Sequence, residues 1–265
     1  MAGEVTTWHH GLIARWWANF NRDGPEIEFF RPYVADGQPA LDVACGSGRL
    51  LVPWVASGLD VDGVDASEDM IDACRTAARQ VGCEPSLSTQ PTHELDLPRR
   101  YRTVVMCGAL GLGGSRDQDL AGLRRVLAHL EPGGVLVLDS EVGEFDDERW
   151  RSWQPRERDE APPGPEDRDL APDGYEYALR HRVLDLDLAA GRVVRELQAW
   201  QWHEGKVIAH ETHELVENLY SEAEVVALLE RAGFVDIEVV GGYHGGPPNG
   251  DEEFLVYVAT RPTTV

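Results

Sequence analysis

The stretch Leu41-Asp42-Val43-Ala44-Cys45-Gly46-Ser47-Gly48 decides the fold. Its apolar first half is typical of a buried strand, and the Gly-x-Gly turn leads into a helix predicted to begin around Arg49. Glycines at such a turn let the backbone approach a ligand closely. Asp65 ends the next predicted strand, 17 residues after Gly48, where a carboxylate can accept both hydroxyls of an adenosine ribose. A strand, a glycine turn and this acid, in that order, predict a nucleotide site.

Strands and helices alternate on the C-terminal side of this turn and return near the end of the chain. Ser67, Ser115 and Ser221 are suited to begin helices, and Gly82 and Gly233 are suited to end them. The predicted strands of this part are 40–44, 61–65, 86–90, 103–107, 135–139, 234–240 and 254–259. Short β-α-β units in series predict a parallel sheet with helices on both faces.

A different pattern interrupts this alternation. Residues 155–174 contain five prolines and many charges, which predicts a surface loop or lid. Strand-like runs follow at 175–186, 192–202 and 207–216, separated by short glycine-containing turns, and they predict an antiparallel meander. We therefore expect a helical N-terminal cover at 1–35, a core at 36–141 and 217–265, and an inserted lid and β subdomain at 142–216.

The glycine turn lacks the features of a dinucleotide site. A pyrophosphate site requires a third glycine, and Leu51 occupies the corresponding position. Asp42 would repel a pyrophosphate, whereas it could help to position a cationic amino-acid tail. Adenosine joined to an α-amino acid is S-adenosylmethionine (SAM), so SAM is the expected cofactor. An NAD(P)-dependent oxidoreductase is the alternative.

These motifs resemble those of class I SAM-dependent methyltransferases that act on small molecules. Residues 41–50 resemble the first motif of that family, and Gly63-Val64-Asp65-Ala66-Ser67-Glu68-Asp69-Met70 resembles its second. Glu131-Pro132-Gly133-Gly134 resembles the entry to the fifth strand, and the stretch 220–234 also fits. The resemblance implies a Rossmann-like fold with a seven-stranded, mostly parallel sheet, here with the inserted meander and the N-terminal helices added.

The resemblance also implies roles for individual residues at the cofactor. Asp65 would hold the ribose, and Pro91 stands where many relatives carry an acid for the adenine amino group, which leaves Thr92, His93 or a backbone carbonyl for that contact. The aromatic ring of Trp17 would lie near the sulfonium as a cation–π partner. The expected cofactor-binding residues are Trp17, Asp42, Ala44, Gly46, Gly48, Asp65, Ala66, Met70, Thr92, His93, Cys107 and Gly108.

The acceptor is indicated less directly. Tryptophans are concentrated in the segments that would cover the strand ends, which favours a closed aromatic chamber for a small, aromatic or indole-type acceptor, although packing against the core or a dimer interface explains them equally well. The candidate catalytic residues are Glu141, His10, Tyr243 and His244, with His9 as a further candidate base. Methyl transfer to N, O or C remains open, and so does a catalytically silent SAM-binding regulator.

Composition limits the partners and the location. With 24 Lys+Arg against 47 Asp+Glu, the net charge of −23 opposes binding to nucleic acid or to anionic membranes. We expect no signal peptide, no membrane-spanning segment and a cytoplasmic protein. The two histidines of His210-Glu211-Thr212-His213 have the wrong spacing for a zincin motif, so no metal is expected. The exposed edge of the inserted strands predicts a possible homodimer.

Overall fold

The computed structural model describes residues 5–141, 148–155 and 157–263. The helices in this part of the chain are α1 (Gly11–Phe20), α2 (Pro25–Asp36), α3 (Leu51–Ala56), α4 (Glu68–Gln80), α5 (Arg116–His129), α6 (Glu148–Arg151) and α7 (Glu222–Ala232). The strands are β1 (Ala40–Val43), β2 (Val61–Asp65), β3 (Leu87–Thr89), β4 (Tyr101–Met106), β5 (Leu130–Glu141), β6 (Asp169–Leu170), β7 (Glu176–Asp187), β8 (Arg192–His203), β9 (Lys206–Asn218), β10 (Val235–Gly241) and β11 (Phe254–Thr260).

Seven strands form one sheet in the order β10-β11-β5-β4-β1-β2-β3. Strand β1 pairs in parallel with β2 and β4, whereas β11 runs antiparallel to both β5 and β10. The expected Rossmann-like fold with a mostly parallel sheet is therefore confirmed. Because β1 to β5 all end at the same edge, the loops that follow them converge there.

Hydrophobic side chains fill both sides of this sheet. Leu41, Val104 and Leu136 pack with apolar residues of α5 and α7, while Val105 and Val137 pack with Phe30 of α2 and Trp54 of α3. Neighbouring residues of one strand thus serve opposite faces, as the two-residue period of a strand requires. Burial on both faces explains why the sequence of these strands is almost continuously apolar.

The helix boundaries follow from capping side chains. Ser67 Oγ accepts from Met70 N at 3.2 Å, and reciprocal capping boxes join Ser115 to Gln118 and Ser221 to Glu224. Gly233 ends α7 with a left-handed conformation at φ +106°. The helix expected to begin near Arg49 begins at Leu51 instead, because Gly46–Gly48 and the next two residues remain in the turn.

The inserted strands form a second, antiparallel sheet in the order β6-β7-β8-β9. The expected three-stranded meander is present, with one short strand added. Residues Asp169 and Leu170, expected within a loop, pair with Tyr177 and Glu176 because the chain folds back as a hairpin at 171–175. The β8–β9 turn has positive φ at Glu204 and Gly205, as the tight hairpins of twisted sheets prefer.

The N-terminal helices cover different parts of the molecule. Leu12 and Ile13 of α1 pack against Tyr177, Leu197 and Ala199 on one face of the second sheet. Helix α2 lies against the large sheet through Phe30 and Val34. Helix α1 therefore links the second sheet to the edge of the first, where the strand-end loops converge. No helix in the described ranges combines the length and apolar character needed to span a bilayer.

Candidate active site

A cavity of about 410 Å³ lies at the carboxyl ends of β1 to β5. Loops after these strands form its floor, and the N-terminal segment with α1 and the end of β9 cover it. Pockets of this size in open α/β sheets are typical ligand sites. All expected cofactor-binding residues except Gly48 line this cavity: Trp17, Asp42, Ala44, Gly46, Asp65, Ala66, Met70, Thr92, His93, Cys107 and Gly108.

The glycine turn shapes the floor through two different glycines. Gly46 has φ +53°, and a Cβ there would find open space, so its small size matters for backbone conformation and for ligand approach. Gly48 has φ +90°, and a Cβ there would lie 2.7 Å from Val52 Cγ2 and 2.8 Å from Cys74 Sγ. Gly48 is thus required for packing beneath the turn, which explains why it does not line the cavity.

Asp65 fixes the glycine turn against the start of α4. Its Oδ2 accepts from Gly46 N at 2.9 Å, and its Oδ1 accepts from Ser67 N at 2.8 Å. Burial raises the pKa of this carboxyl, and the backbone donors act in the opposite direction. Two carboxylate oxygens offer about four acceptor positions, so the backbone donors leave capacity for a ribose hydroxyl.

Asp42 is a buried acid with one carboxyl oxygen that lacks a hydrogen-bond partner in the described structure. It is only 2% exposed, and its Oδ2 has no hydrogen-bond partner. Burial and the nearby negative charge of Asp65 raise the pKa of Asp42 to about 8. A buried, unsatisfied carboxyl oxygen costs free energy unless a ligand donates to it. A primary ammonium group in the cavity would provide that donor.

The residues after β3 carry no carboxylate that lines the cavity in the described part of the chain. Pro91, Thr92 and His93 lie there, and His93 Nε2 is 3.2 Å from Gln118 Nε2 of α5. Gly122 of α5 lets the methyl group of Thr92 pack closely against the helix. A Cβ atom added at Gly122 would lie only 3.1 Å from Thr92 Cγ2. The contact to an adenine amino group therefore remains a prediction for Thr92, His93 or the backbone.

The cover of the cavity comes from the N-terminal segment. Thr6 N donates to Gly113 O at 2.8 Å, and Ser67 Oγ donates to the carbonyl of His9 at 2.5 Å. Trp8, His9 and Trp17 line the cavity, and His9 lies edge-on to Trp17 with ring centroids 5.6 Å apart. Burial, with the charge of His10, lowers the pKa of His9 to about 4, so this imidazole is neutral near pH 7.

Only part of the expected aromatic chamber lies at the cavity. Of the tryptophans outside the core in sequence, Trp8 and Trp17 line it in the described ranges. Trp200 and Trp202 are instead buried on the other face of the second sheet, where Arg180 and Arg168 stack over them. Strand register explains why Trp200 and Trp202 do not line the cavity. Successive residues of β8 alternate between the face that packs on α1 and the opposite face, and both tryptophans lie on the opposite face.

The four expected catalytic residues are distributed over several places. Glu141 lines the cavity at the end of β5. His10 precedes α1, with Nδ1 3.4 Å from Ser67 Oγ, and His244 is exposed on a single 3-10 turn after β10. Tyr243, on the same turn, bonds to Asp139 rather than lining the cavity. The catalytic roles of all four remain predictions.

Several cavity residues escaped the sequence analysis. Asp139 lies near the end of the buried strand β5, where an acid in an apolar run was the local signal for a site residue. Glu217 and Leu215 of β9 could not, because only tertiary folding brings the insert over the core. Additional residues on the wall are Asn21, Arg49, Leu112, Gln118, Asp119 and Phe254.

Four further carboxylates from three elements line the cavity. Glu141 and Asp139 come from β5, Asp119 comes from α5, and Glu217 comes from β9. Asp119 is occupied, since it accepts from Asn218 Nδ2 at 2.8 Å and Tyr220 OH at 2.7 Å. Glu217 accepts from Arg195 Nε at 2.7 Å. In the described residues no group of three or more His, Cys, Asp or Glu side chains could hold a metal ion.

The residues of the floor fit SAM. The open space at Gly46, the carboxylate of Asp65 at the cavity wall and the unpartnered oxygen of Asp42 match a nucleoside with a cationic amino-acid tail. Arg49, which forms an ion pair with Glu26 of α2, and Asn21 provide donors for a carboxylate.

Comparison with known proteins agrees with this site. A family model described as a methyltransferase domain matches residues 40–134. A dTDP-3-amino-3,4,6-trideoxy-alpha-D-glucopyranose N,N-dimethyltransferase of Streptomyces venezuelae is 30% identical over 42% of this chain and 46% of its own length. The chain thus spans about half the length of the curated relatives with the strongest matches.

Two further similarities cover most of the chain. A dTDP-4-amino-2,3,4,6-tetradeoxy-D-glucose N,N-dimethyltransferase of Saccharopolyspora spinosa is 28% identical over 93% of this chain and 88% of its own. The crystal structure of a SAM-dependent methyltransferase from Clostridium acetobutylicum shares the fold, with a TM-score of 0.69 and 16% identity over 94% of this chain and 97% of that one. Residues 40–134 thus match a methyltransferase domain, and the chain shares the fold of a solved SAM-dependent methyltransferase.

Proposed function

We propose that this protein transfers a methyl group from SAM to the amine nitrogen of a small molecule, and that the acceptor is an amino sugar. The observation that carries the cofactor assignment is the unpartnered, buried Asp42 oxygen beside the glycine turn and Asp65. The acceptor assignment rests on the relatives and on the charge of the cavity.

The contribution of the protein to this reaction is binding, alignment and exclusion of water. SAM supplies an electrophilic methyl group on a sulfonium, which an amine can displace in line. The buried cavity, closed by the N-terminal segment, holds both reactants in a near-attack arrangement, and that alignment is where most of the rate gain arises. Trp17 offers an aromatic face for the sulfonium charge.

An amine acceptor must be unprotonated when it attacks, and the methylated product must then release a proton. Carboxylates beside the acceptor can serve in both proton transfers. They attract the ammonium form from solution, and they can take up a proton from the amine or from the methylated product. Glu141 lies at the end of β5 beside the cavity and is the exposed member of this group. We assign it the role of acceptor-binding residue and base.

The amine proposal replaces the indole-type acceptor expected from the tryptophans. Relatives named as sugar N,N-dimethyltransferases recur, and one of them matches 93% of this chain. An indole carbon would need an aromatic wall, whereas Trp8 and Trp17 lie on the cofactor-covering segment and the acceptor side is rich in carboxylates. The charge of the wall therefore favours a cationic acceptor.

Two measurements test the proposal. Calorimetry with SAM and with NAD distinguishes the two cofactors, and only SAM should give a binding isotherm. Mass spectrometry should then detect a gain of one or two methyl groups on dTDP-4-amino-2,3,4,6-tetradeoxy-D-glucose, with no product from indole or catechol. SAM binding without methylation of any amine would support a silent SAM-binding protein instead, and methylation confined to the indole would reverse the acceptor assignment.

A further inference from the structure

A cluster of four residues joins the end of β5 to the end of β4. The carboxylate of Asp139 accepts from Gly108 N through Oδ1, and from Cys107 Sγ at 3.1 Å and Tyr243 OH through Oδ2. Asp139 is 1% exposed, so the three donors replace all of its hydration. We call these residues, Cys107, Gly108, Asp139 and Tyr243, the Asp139 cluster.

Tyr243 reaches this cluster from outside the cavity. Its ring lies 5.7 Å from Phe29, 6.0 Å from Phe30 and 6.0 Å from Phe254, measured between centroids. Aromatic contacts on three sides fix the direction of its hydroxyl. Tyr243 is absent from the described lining of the cavity, whereas Cys107, Gly108 and Asp139 all line it.

The position of the Asp139 cluster lets the hydroxyl of Tyr243 act on the cavity floor without lining the cavity itself. Strand β4 lies between β1, which carries the glycine turn, and β5, which carries the acceptor-side carboxylates. The turn at Cys107 and Gly108 is therefore the part of the floor between the cofactor and acceptor sides. Gly108 has φ +60°, and its amide is held by Asp139 rather than by a regular strand partner.

We infer that Tyr243 is a positioning residue for methyl transfer, which acts by holding Asp139 and, through it, the Cys107-Gly108 turn between cofactor and acceptor. This inference rests on the proposed methyltransferase activity. The hydroxyl is the necessary part of the side chain, since the ring contacts would survive its removal. A misplacement of the floor by a fraction of an ångström affects the rate of transfer more than the affinity of the cofactor.

Loss of the hydroxyl also has an electrostatic consequence. Burial raises the pKa of Asp139, while the donors from Gly108, Tyr243 and Cys107 lower it, as does the charge of Arg49. The other charged group facing the cluster is Asp42 of β1, whose negative charge opposes ionisation of Cys107. Without Tyr243 OH the pKa of Asp139 rises further, so its carboxylate form requires a higher pH.

The test compares Tyr243→Phe with Tyr33→Phe. Tyr33 belongs to the same aromatic group, 6.1 Å from Phe29, and its hydroxyl has no hydrogen bond to any described residue. With SAM and dTDP-4-amino-2,3,4,6-tetradeoxy-D-glucose, we expect Tyr243→Phe to lower kcat by ~10- to 100-fold and to leave the Kd of S-adenosylhomocysteine within about twofold. The acid limb of its pH profile should move to higher pH, and Tyr33→Phe should match wild type.

Each other outcome has a definite meaning. A wild-type kcat and pH profile in Tyr243→Phe overturns the inference, as does an equal loss in both variants, which indicates packing alone. Wild-type protein that binds S-adenosylhomocysteine and methylates no amine contradicts the proposed function. In that case hydrogen exchange still tests whether Tyr243 holds the Cys107-Gly108 turn through Asp139. The Gly108 amide should exchange faster in Tyr243→Phe than in Tyr33→Phe, and equal exchange rates overturn the inference.

Discussion

At the scale of single residues, two acids with different surroundings define the proposed cofactor site. Asp65 has two backbone donors, from Gly46 and Ser67, and holds the glycine turn in place. Asp42 lies on the adjacent strand and has a bare oxygen with no donor. Asp65 is therefore already held in place as a hydrogen-bond acceptor. The free oxygen of Asp42 gains a hydrogen-bond donor only when a cationic ligand binds.

Asp65→Ala should weaken binding of S-adenosylhomocysteine by at least ~10-fold, because the ribose hydroxyls lose their acceptor and the glycine turn loses its anchor. Calorimetry at constant pH measures this loss. Asp72→Ala is the matched control, since Asp72 is an exposed acid of α4 whose side chain bonds to Arg75. An equal affinity for wild type and Asp65→Ala would contradict the assigned ribose contact.

The raised pKa of Asp42 predicts pH-dependent binding. In the free protein this acid is protonated below a pH of about 8, and a bound ammonium favours its charged form. Binding below that pH must therefore release a proton, so affinity for S-adenosylhomocysteine should increase as pH rises toward 8 and then level off. Titrations at pH 6 to 9 measure the slope.

Asp42→Asn provides the comparison for this slope, because it keeps the shape of the side chain and removes its titration. The ligand's own ionisation is common to both proteins and cancels in the difference. The variant should bind more weakly at pH 8 and show a flatter pH dependence. Identical slopes for the two proteins would show that Asp42 does not titrate on binding.

At the scale of elements, α1 is fixed by acids from two other parts of the chain. Gly11 N donates to Asp69 Oδ2 of α4 at 2.7 Å, and Leu12 N donates to Glu211 Oε2 of β9 at 2.8 Å. These are the first free amides of the helix, which have no partners within it. The position of α1 in turn places Trp17 over the cavity.

Glu211→Ala should lower the free energy of unfolding by about 1 kcal/mol, the usual effect of losing a helix-capping acceptor. For a domain of this size the melting temperature should fall by ~2–4 °C. Affinity for S-adenosylhomocysteine should fall as well, since α1 carries part of the cavity wall. Thermal unfolding and calorimetry report these effects, and Glu214→Ala, an exposed acid of the same strand, should change neither.

At the scale of the whole molecule, the second sheet ends in a long edge strand. Among the described residues no named strand pairs with the outer side of β9, although its last residues bond to Thr6 and to residues 111–113. Val207 and Ile208 near its start are 44% and 52% exposed. Exposed strand edges are usually covered or paired. We propose that a second copy of the chain covers this exposed edge. The inserted strands predicted such a homodimer from the sequence.

Light scattering should therefore give about twice the chain mass of 29.4 kDa at micromolar concentration. Ile208→Lys places a charge at the exposed start of the edge strand and should shift the mass toward that of one chain. Lys206→Gln, two residues away, is the control for general effects on this turn. A single-chain mass for the unmodified protein would refute the dimer.

Much of the large sheet could be predicted because its signals are local. The strand and glycine turn at 40–48 and the capping serines at 67, 115 and 221 act over a few residues. The structure has the helices begin after these serines as predicted, while the helix after the glycine turn begins two residues later than expected. The short β6 was missed because a strand of two residues is too short to show an alternating pattern, and only its pairing with β7 identifies it. Asp139 was missed as part of the site for a different reason, since its partners lie 31 or more positions away in the chain.

The sequence by itself therefore determined the class of fold, the succession of its elements along the chain and most of the residues proposed for the cofactor, because glycine turns, caps and strand periodicity act between near neighbours. Tertiary structure alone decided which other residues line the cavity and which tryptophans reach it. Asp119, Asp139 and Glu217 come from separate elements, and Glu217 reaches the cavity only because the inserted strand β9 packs over the core. Packing and strand register, which couple distant positions, set those contacts.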